Sequence, residues 1–515
     1  MSIALISTST RRRRGFHYLA TMDLIVGGGG GPEECSVPLL RSNMSNEDNE
    51  HLLVGRYDLR RQVWEESKKL WEIVAPGIFT RISTYSMNVV MLAFAGRLGD
   101  LELASVSFAC TGLVSFNYGL MDMLGMASAL ETMCGQAFGA KKYHMMGVYM
   151  QRSWIVLFMC SMLLLPMYIF AADLLLLVGQ PVELSMMVGQ IAVWFIPIHL
   201  SLAFLFPLQR FLQCQRKNFV NAVASAIALC IHIFNSWLFV SKLQCGLIGI
   251  ALVLSFSWWT ITILVFTYVY CGGCPVTWHG LSIEAFAGLW EFIKLSAASG
   301  VMLCLENWYY VILIMLTGNL KNTAVAVDAL SICMMINGWE MMIPLAFLAG
   351  TGVRVANELG AGNGNGARFA TIVSSITSVV IGILFWVLIM VFHDKIALIF
   401  TTSTAVLDAV SNLSILLAFT ILLNSIQPVL SGVAIGSGWQ SVVAYINIGC
   451  YYIIGIPTGI ILGWFFELGV MGIWAGMIGG TAVQTLILIV ITVRCNWDKE
   501  AMIATTRMEK LSQVR

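Results

Sequence analysis

From Leu70 onward, long apolar runs alternate with short polar breaks. The runs fall at roughly residues 71–96, 104–128, 148–176, 187–207, 219–240, 247–270, 288–316, 325–350, 370–392, 408–433, 440–465 and 471–493. About 20 apolar residues cross the hydrocarbon core as a helix. The runs reach that length and are too long for barrel strands, and in lipid only helices and closed barrels satisfy the backbone. The pattern predicts an all-α integral membrane protein with twelve transmembrane helices.

The second half of the pattern echoes the first. Leu70-Trp-Glu72 opens span 1 and Leu289-Trp-Glu291 opens span 7. Span 2 leaves through Gly135-Gln-Ala-Phe-Gly-Ala140 and span 8 through Ala356-Asn-Glu-Leu-Gly-Ala361. Pro207 at the end of span 4 answers to Pro428 in span 10, and Gly246-Leu-Ile-Gly-Ile-Ala251 to Gly469-Val-Met-Gly-Ile-Trp-Ala475. Four matches in order, at offsets of about 219–223 residues, indicate an internal repeat. Six spans is an even number, so the repeats share one orientation and form two six-helix lobes related by a pseudo-two-fold axis along the membrane normal. The expected organisation is a disordered amino tail (1–69), an N-lobe of helices 1–6 (70–270), an inter-lobe loop (271–287), a C-lobe of helices 7–12 (288–494) and a carboxyl tail (495–515).

Charge sets the orientation. Of the 29 Lys and Arg, 23 lie on the side of the two tails and the breaks after spans 2, 4 and 8, and only Arg97, Lys242, Lys321 and Lys395 lie on the other. By the positive-inside bias both termini are cytoplasmic. The plasma membrane and the vacuolar membrane meet that condition equally.

Composition narrows the class further. The chain is 58% hydrophobic and 11% charged, against about 45–50% and 25% for soluble domains, so too few charges exist to cover soluble surfaces. A net charge of +1 leaves no basic footprint for nucleic acid. Most of the 13 cysteines sit in apolar runs, as small buried hydrophobes rather than a disulfide framework. Cys271-Gly-Gly-Cys274 lacks the two further ligands of a zinc site. No Gly-x-Ser-x-Gly, His-Glu-x-x-His or nucleotide-binding element occurs, so the sequence calls for no cofactor and no enzymatic centre. The tail carries Arg11 to Arg14, a linker-like Gly27 to Gly31, an acidic patch near Glu47, and Met22 as an alternative start. No cleavable signal peptide stands out.

Polar residues within the spans carry the candidate chemistry. Glu306 lies mid-span 7 in Cys304-Leu-Glu-Asn-Trp-Tyr-Tyr310, where an ionised carboxylate is costly and faces the protein interior. Tyr309 and Tyr310 follow at i+3 and i+4, on roughly its face. Glu340 in span 8 has Asn337 one turn before it. Asn424 and Gln427 share a face of span 10 beside Pro428, which frees a backbone carbonyl. Glu306 is the candidate proton-coupling group, and Tyr309, Tyr310, Asn337, Glu340, Asn424 and Gln427 are candidate substrate contacts. His232 reads as a satisfied core histidine and Asp328 as a residue at the water interface.

Four of these motifs carry a resemblance. Gly135-Gln-Ala-Phe-Gly-Ala140, Pro207-Leu-Gln-Arg-Phe-Leu-Gln213, Val353-Arg-Val-Ala-Asn-Glu-Leu-Gly-Ala361 and Gln427-Pro-Val-Leu-Ser-Gly-Val433 resemble the signatures of plant MATE transporters, the DETOXIFICATION proteins. The likeness runs from about Trp64 to Trp497. It implies a twelve-helix, two-lobe antiporter that exports organic compounds in exchange for protons. It also implies that the span 7 glutamate in its Cys-Leu-Glu context, Glu306, is the proton site. Two departures stand out. Some members carry an aspartate where this chain has Asn424, and close relatives read Gly-Leu-Leu-Leu-Gly-Met where this chain has Gly119-Leu-Met-Asp-Met-Leu-Gly-Met126. The two extra residues, with Asp122 among them, turn the rest of the helix by about 200° unless a helical bulge absorbs them.

The sequence is therefore read as a monomeric, proton-coupled antiporter of small organic solutes working by alternating access. The competing readings are an anion channel or uniporter on the same scaffold and, from another class, a membrane-embedded enzyme such as a lipid transferase.

Overall fold

The computed structural model describes residues 46–123, 126–318 and 324–513. The side chains of Asp122 and Tyr310 lie outside the described set, as does Met22. The chain divides into units of residues 1–58 and 59–515. Of the first, only the helical backbone of residues 46–58 is described, and all the other described residues belong to the second.

Twelve helical passes follow one another. They are α1 (Asn46–Ala95), α2 (100–123 and 126–139), α3 (Tyr143–Ile169), α4 (182–214), α5 (219–242), α6 (246–273), α7 (Leu289–Gly318), α8 (Ala324–Gly360), α9 (Gly364–Ala397), α10 (404–437), α11 (440–465) and α12 (Gly469–Arg494). Among the described residues nine of these are by themselves long and apolar enough to cross a membrane. Counting the bent pair in α4 makes ten, and α2 and α7 fill the remaining places. Each pass overlaps its expected run.

What the hydropathy pattern does not carry is the departures from α geometry. α4 bends by 47° at Phe195, where Pro197 sits in the first turn of the continuing helix. α10 breaks at Ser425–Ile426 ahead of Pro428, a ring with no amide hydrogen for the Asn424 carbonyl. π-helical turns occupy Trp237–Lys242 in α5 and Ile461–Phe465 in α11, at corresponding places in the two repeats. α2 carries its own π turn at Ala109–Val114, upstream of the extra residues near Asp122.

The lobes meet near the face that holds α13 (Trp497–Gln513) and Glu66 of α1, called here the terminal face. At the crossing of α2 and α8, Gly135 lies against Ala356, Gly139 against the Asn357 carbonyl and Gly360 against the Gln136 carbonyl, with no room for a Cβ. Around it, Thr132 Oγ1 donates to the Ile435 carbonyl (2.6 Å) and Gln136 Nε2 to the Gly436 carbonyl (3.0 Å). A buried ion pair adds to this, Arg354 on α8 making two hydrogen bonds of 2.7 and 2.9 Å to Glu66 on α1.

One expectation needs correction. The amino tail is not disordered up to residue 69, because α1 begins at Asn46 and Glu66, 7% exposed, is fixed by Arg354. The inter-lobe loop is docked. Gln151 on α3 donates to the Gly280 carbonyl and accepts from the Ser282 amide, and Arg152 donates to the Glu284 carbonyl. The carboxyl tail contains α13, whose Trp497, Ala501, Ala504 and Met508 form one buried stripe.

Candidate functional site

The second lobe gathers its polar residues where α7, α8 and α10 face one another. Glu306 on α7 is half-buried and hydrogen-bonded to the Gln427 side chain. Gln427 in turn donates from Nε2 to Ser431 Oγ at 3.1 Å. The interruption of α10 supports this arrangement: Pro428 restarts the helix one residue after Gln427, and the Ser425 carbonyl is bonded by Ser378 Oγ at 2.6 Å. Asn424, just before the break, donates to Asn337 Oδ1 on α8 at 3.1 Å. One turn along α8, Glu340 is 5% exposed, and its Oε2 has no hydrogen-bond partner. The structure thus brings Glu306 to Gln427 and Asn337 to Asn424, with a second buried acid one turn from Asn337.

α7 is held at Glu306 from the opposite side. Asn447 donates to the Met302 carbonyl, Tyr452 to the Leu305 carbonyl, and Gln484 bridges Asn447 and Tyr451. Such a network of satisfied buried groups fixes the helix rotation, and hence the direction of Glu306.

Tyr309, expected as a substrate contact, forms part of this support. It is fully buried, stacked on Tyr451 with centroids 4.4 Å apart, and donates to the Gly476 and Met477 carbonyls (3.2 and 3.0 Å). Gly455 and Gly480 make room for it, since a Cβ at either would strike its hydroxyl. Tyr310 falls outside the described side chains. His232 is a core histidine, its Nδ1 2.9 Å from Ser257 Oγ, and Asp328 is exposed.

Some polar contacts carried no local signal. Glu131 (α2) pairs with Arg210 (α4) at 3.2 Å, inside the first lobe. A small polar pocket of about 70 Å³ nearby is lined by Arg81, Arg210, Gln213 and Asn221 among others. Among the described residues no group of three or more His, Cys, Asp or Glu is placed to hold a metal ion.

Comparison with known proteins agrees with this architecture. The MatE family model matches twice, over residues 76–238 and 298–461, one match in each lobe. Protein DETOXIFICATION 27 of Arabidopsis thaliana is 63% identical over 489 residues, covering 94% of this chain and 99% of that protein. Protein DETOXIFICATION 26 of the same plant is 58% identical over 95% of this chain and 98% of its own length. Among solved structures, the crystal structure of the eukaryotic MATE transporter AtDTX14 superposes with a TM-score of 0.78 at 34% identity, over 87% of this chain and 99% of that one. An outward-facing multidrug resistance MATE transporter shares the fold at 14% identity, with a TM-score of 0.74 over 87% of this chain and 97% of its own. Two matched repeats, twelve passes and these relatives place the chain together: it belongs to the MATE transporter family, with the plant DETOXIFICATION proteins.

Proposed function

We propose that this transporter is a proton-coupled antiporter that exports small organic solutes by alternating access, with Glu306 as the coupling group and both termini cytoplasmic. The observation that carries the reading is the Glu306–Gln427 hydrogen bond inside a rigidly supported helix, in a lobe that buries a second acid at Glu340. A carboxyl group within a span is costly when charged and unpaired. Water, a proton or a cationic substrate reaching Glu306 therefore changes the balance between conformations. Asn337, Asn424 and Gln427 offer hydrogen bonds to a bound solute, and Glu340 is a candidate second proton site. The lobes are joined at the terminal face, so with cytoplasmic termini this conformation is the one closed to the cytoplasm. The supporting charge pattern is the Lys/Arg excess on that side.

The test is uptake into vesicles under an imposed pH gradient. Glu306→Gln keeps the size and an acceptor but cannot titrate, so gradient-driven transport collapses while membrane abundance stays normal. Glu306→Asp retains part of the activity with an altered pH dependence. Normal transport by Glu306→Gln, with continued dissipation of the gradient, overturns the assignment. The anion-uniporter reading draws on a different observation, the Arg81 and Arg210 side chains lining the small pocket that Ala346 and Ala349 of α8 also wall. Currents that follow an anion gradient and persist in Glu306→Gln select it instead.

A further inference from the structure

A large cavity lies outside the Glu306 site, at the terminal-face seam between the lobes. It has a volume of about 830 Å³ and is walled by Met133 of α2, the first turns of α7, Ser441 of α11 and one side of α13. Its inner surface is mostly apolar, with Leu295, Ala298, Met502 and Ile503, while Lys294, Arg507 and Glu291 supply the charges. Met502 is 65% exposed and Ile503 40%, so α13 presents apolar surface at the cavity instead of covering it. Arg507 is itself drawn inward. It donates to Gln136 Oε1 at 3.2 Å, and burial lowers the pKa of its guanidinium below the usual arginine value. A guanidinium held in such surroundings remains charged, and a nearby anion favours that state.

We propose that this cavity is a binding site for an anionic phospholipid, with the phosphate between Lys294 and Arg507 and an acyl chain along Leu295, Ala298 and Ile503. A volume of this order suits one amphiphile; Arg507 already feels the Glu500 carboxylate, and Lys294, exposed at the mouth, is the cation that draws an anionic headgroup. Basic pockets between membrane helices hold lipid headgroups on these grounds. The walls come from both lobes, and α13 also spans them: Trp439 Nε1 donates to Glu500, while Lys142 donates to the Met508 carbonyl. An occupant therefore stabilises the arrangement in which the terminal face is closed.

The experiment uses the full-length protein in phosphatidylcholine nanodiscs, titrated with phosphatidylglycerol and read by native mass spectrometry and by thermal midpoint. Phosphatidylglycerol is expected to be retained and to raise the midpoint, with added phosphatidylcholine doing neither. Lys294→Gln, which removes no contact between the lobes, weakens retention about five-fold, as expected for one basic charge near an anionic headgroup. Ala298→Trp fills the cavity with both cations intact and abolishes retention. Glycerol 1-phosphate, which has the headgroup chemistry and no acyl chain, gives no shift. Equal stabilisation by phosphatidylcholine, an equal response to glycerol 1-phosphate, or undiminished phosphatidylglycerol retention in both variants overturns the proposal.

Discussion

The two lobes share one helical plan and differ in what they bury. The second lobe sets Glu306 and Glu340 among Asn337, Asn424 and Gln427. At the repeat offset, the stretch of α1 that answers to Glu306 is Thr84-Tyr-Ser-Met87, and the residues answering to Asn424 and Gln427 are Ala203 and Phe206. Pro207 and Pro428 are common to both, but the first lobe has no acid at these places. Its buried carboxylate, Glu131, lies nearer the terminal face and is paired with Arg210. A shared backbone plan therefore does not carry the chemistry with it. Among the described residues Glu340 of the second lobe makes no ion pair, where Glu131 of the first is paired with Arg210. The contrast is one of chemistry: the first lobe pairs its Glu131 with a cation, and the second bonds its Glu306 to an amide.

The strongest way to break that contrast is to move the acid. In a Glu306→Gln background, Ser86→Glu places a carboxyl on the corresponding stretch of α1. Uptake driven by a pH gradient is expected to stay at background, because no Gln427 counterpart exists beside Phe206. Recovery of coupled uptake would show that the lobes are interchangeable.

Next in size is the pair that joins them. Removing one member of a buried ion pair costs about 3–5 kcal/mol, and less here because Arg354 keeps Glu358 as a second partner. Glu66→Gln is thus expected to lower the thermal midpoint and open the terminal face to thiol reagents at an introduced cysteine. Glu66→Leu/Arg354→Met, which removes both charges, is expected to cost much less than the sum of its single changes. Unchanged stability and labelling in Glu66→Gln would remove this pair from the closure of the face.

The smallest effect belongs to the support of α7. Tyr309→Phe loses a hydroxyl that meets two carbonyls, worth about 1 kcal/mol, and Gly455→Ala overpacks the same place by about 1–3 kcal/mol. Because the Tyr309 hydroxyl is the atom nearest the added methyl group, the double variant is expected to be more stable than additivity allows. Strict additivity in thermal unfolding would separate the two residues.

Legibility in the sequence followed the range of the interaction. The passes were readable because lipid imposes length and apolarity on each independently, and the repeat was readable because Gly and Pro recur at fixed separations. The π turns of α5 and α11 were not, since a one-residue change of winding leaves hydropathy untouched. The spacing of Trp497, Ala501, Ala504 and Met508 is a helical stripe, present in what reads by composition as a polar tail. Glu66 and Arg354 lie 288 residues apart, and nothing local in either marks the other. The packing of Tyr309 was not readable, because proximity to an acid along a helix says nothing about which neighbour receives the ring. Here Tyr451 does.

The crossing of α2 and α8 has one more consequence. Gly139 and Gly360 occupy equivalent positions in the two repeats, as do Gln136 and Asn357, and each glycine rests on the carbonyl belonging to the other's half. Gly135 and Ala356, another equivalent pair, touch one another. A contact in which each member meets the counterpart of its own partner is isologous, the geometry by which identical subunits form a closed dimer. Each half of this chain thus carries both sides of the junction. Two separate copies of one six-helix half, with glycine in the crossing position, already own the self-complementary surface needed to pair in parallel, before any linker ties them into a single polypeptide.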